Sequence, residues 1–304
     1  MEKGLVSIIT PCYNGEKFID RYFKAILAQT YSKLEVIFVN DGSTDKTDTI
    51  VKSYLPLLEE KGIRTRYIIQ SNQGQAVALN RGLEIFEGEF LTWPDSDDIL
   101  TEDSIEKKVN FLQTHLEYGM VRSNGIYYNM ETNEKKRISS SADNNDEHIF
   151  EKLLLMKTYG CCGCYMMRAD LFYDIYPDKK IFESRCGQNW QMLVPAASRS
   201  KCGYIDEDLY IVYEHSDSHS RNNNIDYIKR WDDFTTILLE AIKVSKCDYN
   251  RSEKLVKENC VRQQFYYAIA LKDKNLLRKK YKSLRQFKTI TLKEKLLYFK
   301  HICI

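Results

Sequence analysis

Apolar runs and helically spaced apolar positions alternate along the first 120 residues. Leu5-Val6-Ser7-Ile8-Ile9-Thr10 predicts a buried strand, which Pro11-Cys12-Tyr13-Asn14-Gly15 ends with turn chemistry. Phe18, Ile19, Tyr22, Phe23, Ile26 and Leu27 then recur at helical spacing. A second strand is predicted at 34–39, closed by Asn40-Asp41-Gly42-Ser43, and a helix follows with Ile50, Val51 and Tyr54 on one face. A third strand at 66–69 precedes a helix at 75–87. Phe90-Leu91-Thr92-Trp93 forms a fourth strand and runs straight into Pro94-Asp95-Ser96-Asp97-Asp98. A helix near 104–116 and a strand at Met120-Val121 complete the series.

Strands alternating with helices predict an α/β domain with a mostly parallel sheet flanked by helices. In such sheets ligands sit beyond the carboxyl ends of the strands, where this chain places its Asp, Asn, Gly and Tyr residues. Residues 130–148 are polar and read as a loop or insertion. Beyond them, strands at Cys164-Tyr165-Met166-Met167 and Leu209-Tyr210-Ile211-Val212-Tyr213 bracket a helix around 188–198. From about 225 onward the pattern is helical. Thr291-Leu292-Lys293-Glu294 has capping-box spacing and opens a last amphipathic helix through Leu296, Leu297, Phe299 and Ile302.

A chain of 304 residues can bury a large core. No run of about eighteen apolar residues predicts a membrane span. Met1-Glu2-Lys3-Gly4-Leu5-Val6 leads into the first strand without signal-peptide architecture, so a cytoplasmic protein is expected. The nine cysteines are odd in number and irregularly spaced, which argues for reduced, packed thiols over a disulfide framework. Charge is unevenly placed. Residues 251–304 carry 15 Lys/Arg against 4 Asp/Glu, a net +11, and the remainder carries 30 against 39, a net −9. A basic tail on an acidic body points to an anionic partner.

Asp95-Ser96-Asp97-Asp98 is the strongest local signal. Three carboxylates within four residues repel one another unless a cation neutralises them, and Mg2+ or Mn2+ takes oxygen ligands and bridges to substrate phosphates. The plain alternative is an N-cap cluster for the helix near 104. Asp41 could accept a hydrogen bond from a base or ribose, or simply open an Asx-turn with Gly42 and Ser43. Gly74, in Asn72-Gln73-Gly74, allows close backbone approach or a tight turn.

In order, Thr10-Pro11-Cys12-Tyr13-Asn14, Val39-Asn40-Asp41-Gly42-Ser43-Thr44-Asp45, Asn72-Gln73-Gly74 with Ala78-Leu79-Asn80-Arg81-Gly82, and Asp95-Ser96-Asp97-Asp98 form one constellation. It resembles the inverting family 2 glycosyltransferases of the GT-A fold, over about residues 5–220. The resemblance implies a GT-A-type catalytic domain at 1–222, with a nucleotide-sugar half at about 1–124 and an acceptor half at about 125–222. An all-helical basic C-terminal extension would occupy 223–304. Pro11, Tyr13 and Asp41 would hold the nucleobase and ribose, Tyr13 by stacking. Asn72 and Gly74 would line the nucleotide pocket with Asn80 and Arg81 nearby, and Asp95 with Ser96 would sit by the ribose. Asp97 would ligate a divalent metal, Mn2+ or Mg2+, with His219 or His215 as a further ligand. Leu79 stands where many relatives carry Arg.

One departure concerns the catalytic base. Such enzymes present it as the Asp of a Glu-Asp pair opening a helix, whereas this chain reads Gly187-Gln188-Asn189-Trp190-Gln191. An amide takes no proton at neutral pH. Either Asn189 marks a vacated position and another carboxylate serves, Glu183 being nearest in sequence, or catalysis runs through a different arrangement, or this copy binds without turnover. The implied reaction moves a sugar from a nucleoside-diphosphate-sugar to a hydroxyl of a glycan or lipid-linked glycan, as in polysaccharide biosynthesis. A uridine-diphosphate sugar is the expected donor, because Asp41 suits the uracil imide. The tail is either a solvated helical face or a dock for anionic membrane at the inner face of the plasma membrane, and the second is favoured. No nucleic-acid motif accompanies its charge. A haloacid-dehalogenase-type phosphatase is the rival enzyme, since Phe90 to Asp97 mimics its strand and DxD, but it leaves the upstream motifs without a role.

Overall fold

A computed structural model describes residues 1–139, 146–185, 187–214 and 227–303. Cys186, His215, His219 and the boundary expected at 222/223 lie outside the described residues. The first half is a run of parallel strands, β1 (Glu2–Cys12), β2 (Leu34–Asn40), β3 (Arg64–Ile69) and β4 (Gly88–Thr92). They are joined through α1 (Ile19–Leu27), α2 (Thr47–Glu60) and α3 (Gln75–Ile85). Every residue of β2 is buried, as its continuous apolar run demands, and the edge strand β3 is half exposed. The spatial order β3-β2-β1-β4 reverses direction at β1. Chains leaving β1 and β4 therefore part to opposite sides and open a crevice beyond the strands' carboxyl ends.

The second half contains β5 (Ile99–Leu100), α4 (Ser104–Thr114), β6 (Tyr118–Asn129), β7 (Lys135–Arg137) and α5 (Phe150–Leu154). A single 3-10 turn (Cys162–Cys164), β8 (Tyr165–Arg168), α6 (Ala169–Ile175), α7 (Gln188–Arg199) and β9 (Lys201–Glu214) follow. The full order is β3-β2-β1-β4-β8-β6-β9-β5, with β7 paired to β6. Pairings of β8 with β4 and β6, of β5 with β9, and of β6 with β7 are antiparallel, whereas β6 and β9 run parallel, so the sheet is parallel in its first half and mixed in its second. β7 lies inside the stretch expected to be loop. Its polar residues pair with Ile126, Tyr127 and Tyr128, and Arg137 bridges to Asp206 and Asp208, contacts that no local pattern announces. β9 likewise begins eight residues before the apolar stretch that predicted it, because β6 pairs with it along almost its whole length.

Among the described residues four helices follow: α8 (Tyr227–Lys243), α9 (Tyr249–Ala270), α10 (Lys274–Gln286) and α11 (Leu292–Cys303). Leu238, Ala241 and Ile242 of α8 and Val256 of α9 join the core of the sheet domain. A second core forms only later, from Phe265, Ala268, Leu277 and Leu284. The helix starts are capped as their sequences demand. Asp273 accepts from the amides of Asn275 and Leu276, and Thr291 and Glu294 close a reciprocal capping box, at 2.8 Å for Thr291 N to Glu294 Oε2 and 3.2 Å for the return bond. The described cysteines are free thiols, most of them buried. Among the described residues no helix is long and apolar enough to cross a membrane.

Candidate active site

The turns at the ends of β1 and β2 are sewn together before any ligand arrives. Asn14 N donates to Ser43 Oγ at 2.9 Å, and Thr44 N donates to Asn14 Oδ1 at 2.9 Å. Asp41 is buried beneath the loop after β3, where Oδ1 accepts from Gln73 N at 2.9 Å and Gln70 Nε2 at 2.7 Å, and Oδ2 accepts from Gly74 N at 2.8 Å. A carboxylate offers about four acceptor positions, so three are taken and one remains on Oδ2. Pro11 is buried, whereas Tyr13 stands 46% exposed at the mouth of the crevice and Asn72 is exposed beside it in sequence to the Asp41-bound loop.

Residues 181–185 form the other wall. Gly74 has φ +98, and a Cβ there would meet Arg185 Cα at 2.9 Å, so only glycine lets the two segments approach. Gln75 N donates to Arg185 O at 3.3 Å. Both polar ends of the Asn80 amide are used on Ile181, Nδ2 donating to its carbonyl at 3.0 Å and Oδ1 accepting from its N–H at 2.9 Å. Asn80 is thereby a clip between α3 and this wall. Arg81 lies exposed, donating to Gln70 Oε1 at 3.3 Å. Glu183 is exposed and paired with Lys180 at 2.6 Å. Asn189 is different: its Oδ1 accepts from Trp93 Nε1 at 3.1 Å, which brings the start of α7 to within two residues of the acid cluster.

The acid cluster rests on uncharged donors. Asp95 Oδ1 accepts from Gln75 Nε2 at 2.8 Å and Oδ2 from the Cys162 thiol at 3.1 Å. Asp98, only 5% exposed, accepts from the Tyr210 hydroxyl at 2.9 Å and Tyr213 N at 3.0 Å. Tyr210 is the bracket, because its oxygen also accepts from Asp95 N at 3.2 Å. Burial, and then the neighbouring charge of Asp97, pushes the Asp95 carboxyl up to about 6. Asp98 is raised by burial and by both neighbours. Ser96 bonds the Cys12 thiol, whose pKa burial pushes up to about 12. Asp97 is half-buried, its carbonyl accepting from Arg21 Nη2 at 2.6 Å while the Arg21 guanidinium lies 3.5 Å over the Tyr213 ring.

Hydrogen bonds from uncharged groups thus also satisfy Asp95 and Asp98, beside any cation that the cluster would hold. Among the described residues no three His, Cys, Asp or Glu side chains form a metal cage. An ion carrying a pyrophosphate needs only one or two protein carboxylates, and Asp97 with its hard oxygens suits that arrangement. Tyr210, Cys162, Gln75, Arg21 and Asp98 were not among the expected site residues. Only Asp98 carried a signal, by adjacency; the others come from distant strands and helices.

Residues 7–176 match the sequence profile of the Glycosyl transferase family 2. An uncharacterized glycosyltransferase of Haemophilus influenzae is 37% identical over 142 residues, spanning 46% of this chain and 55% of that protein. Glycosyltransferase GlyA of Streptococcus pneumoniae is 35% identical over 130 residues, 40% of this chain and 18% of that protein. The match therefore spans about half the length of the first of these relatives and less of the second. Among solved structures, S. aureus TarS 1-349 in complex with UDP-GlcNAc superposes with a TM-score of 0.64 at 17% identity, over 98% of this chain and 79% of that one. Mannosyltransferase PcManGT from Pyrobaculum calidifontis, in complex with GDP-Man and Mn2+, gives 0.59 at 16%, over 98% and 79%. At these identities the superpositions speak for the fold, and the profile leaves the phosphatase alternative without support. With its acids gathered at a switch-point crevice and more than half its length matching that profile, the chain belongs to glycosyltransferase family 2.

Proposed function

We propose that this chain transfers a sugar from a nucleoside-diphosphate donor, a uridine-diphosphate sugar foremost, to a hydroxyl of a glycan or lipid-linked glycan with inversion. The observation that carries the reading is the acid cluster at the crevice between β1 and β4, flanked by the Asp41-bound loop. The two ligand-bearing structures of the same fold, one with UDP-GlcNAc and one with GDP-Man and Mn2+, support a nucleotide-sugar there.

Tyr13 offers an exposed ring for a base, and the remaining acceptor position of Asp41 suits a base or ribose donor. Asp95, held by Gln75 and Cys162, would sit beside the ribose with Ser96. A divalent ion, Mn2+ or Mg2+, would be held by Asp97 and supplies charge neutralisation for a departing diphosphate. The acceptor oxygen attacks the anomeric carbon from the face opposite the diphosphate, which inverts that centre. Asn189 cannot take the acceptor's proton. Glu183 would have to leave its pairing with Lys180 to do so.

That vacancy favours a second reading, a nucleotide-sugar binder without turnover, supported by the bond that ties Asn189 Oδ1 to Trp93. Thermal shift across a panel of nucleotide-sugars, with and without Mn2+, tests the common part. One diphosphate donor should stabilise the chain only with metal, and Asp97→Ala should abolish the gain. Equal stabilisation of that variant would sink the metal assignment. Slow donor hydrolysis by the wild type then separates a transferase from a binder.

A further inference from the structure

The last helix faces two ways. Its inner side is locked: buried Glu294 accepts from Arg262 Nε at 2.7 Å, and the Tyr298 ring stacks on Tyr281 at 3.8 Å between centroids. Its outer side carries Leu292, Leu296 and Phe299, spaced i, i+4, i+7 and 73%, 63% and 58% exposed. The expected amphipathic stripe is thus split, with Ile302 packing inward beside Tyr298 and Leu296 and Phe299 turned out. By helical position, Lys293 and Lys300 flank the outer stripe on one side and Lys295 flanks it on the other, all exposed. Among the described residues none of the three is ion-paired with a carboxylate.

We propose that this face of α11 docks on an anionic lipid surface, the three apolar side chains entering the headgroup boundary and the lysines reaching the phosphates. An apolar stripe bordered on both sides by cations matches a bilayer interface, where long basic side chains extend to the headgroups. Charge complementarity favours lipid over a second copy, since residues 251–304 carry 15 Lys/Arg against 4 Asp/Glu and two such faces would repel. A nucleic acid would use the cations and leave the stripe uncovered. The locked inner side presents the stripe preformed, with no ordering required on contact.

The test is co-sedimentation of the full chain with phosphatidylcholine vesicles and with vesicles of phosphatidylcholine mixed with phosphatidylglycerol, without nucleotide-sugar, so the outcome is independent of the proposed reaction. Wild type should sediment with the anionic vesicles only, and less so as salt rises. Replacing Leu292→Ser, Leu296→Ser and Phe299→Ser together should cut binding at least about tenfold, and Lys293→Ala with Lys300→Ala should leave binding to the anionic vesicles closer to the neutral-vesicle background than to wild type. Phe299→Trp should show a blue-shifted emission on the anionic vesicles, a readout that survives if the triple variant folds poorly. No wild-type binding, undiminished binding of a folded triple variant, or a wild-type dimer that the triple variant dissociates would each overturn the proposal.

Discussion

The acid cluster and the C-terminal helices handle charge in opposite ways. Around Asp95 and Asp98 like charges are buried close together, and each oxygen is met by an uncharged donor from another part of the chain. In the helices most cations stand exposed, and several are ion-paired at the surface, as Lys243 is with Glu240 and Lys257 with Glu253, while half-buried Arg262 joins Glu258 and Glu294. A buried carboxylate must be satisfied or neutralised to be tolerated, whereas an exposed lysine costs little to leave unpaired. The first region therefore holds its charge inside a hydrogen-bonded frame, and the second keeps its charge available at the surface.

The largest effect should come from the pocket. Asp97→Ala should reduce donor turnover at least about 10³-fold with the fold intact; a rate near wild type would remove the cation from the comparison. Next, Asp98→Ala leaves the Tyr210 hydroxyl and Tyr213 N without their acceptor and should lower unfolding free energy by about 2–4 kcal/mol. Exposed Lys282→Ala should stay within about 0.5 kcal/mol by the same denaturant titration. Equal losses would erase the distinction between the regions. Arg262→Ala tests the exception, since it strands buried Glu294 and should cost about 2–3 kcal/mol, far more than any other tail cation.

A further effect is a pH dependence. Lys108 is buried, donating to Gly163 O at 2.6 Å and Ser104 Oγ at 3.0 Å, and burial pushes its ammonium down to about 8. Its unfolded value is higher, so between about 8 and 10.5 the unfolded chain binds more protons. Stability from this group should then rise with pH across that window, with its full cost present below it. The melting temperature of wild type should climb relative to Lys108→Met as pH passes from 8 towards 10, and parallel profiles would contradict the burial penalty.

Much of the first half could be read directly. Continuous apolar runs became β1, β2 and β4, and Asp41, Gly74 and the acids after Trp93 fell at strand ends because ladder and turn chemistry are local. The capping box at Thr291 and Glu294 was legible for the same reason. Less could be read of the second half. β7 is polar, β9 opens on the mixed stretch 201–208, and the strand character of both comes from pairing with β6. Asn80 looked like a pocket residue by its company in sequence, yet both ends of its amide are bonded to Ile181.

The sequence by itself determined the family, the order of strands and helices through the first half, the clustering of acids and the charge imbalance of the tail. All of these follow from periodicity, composition and short-range spacing. Only the tertiary structure decided that Tyr210 and Cys162 hold the acids, that Asn189 is tied to Trp93, and that Leu292, Leu296 and Phe299 face outward. Each depends on which distant segment arrives at a given side chain, and a hydrogen bond across a hundred residues leaves no trace in local pattern.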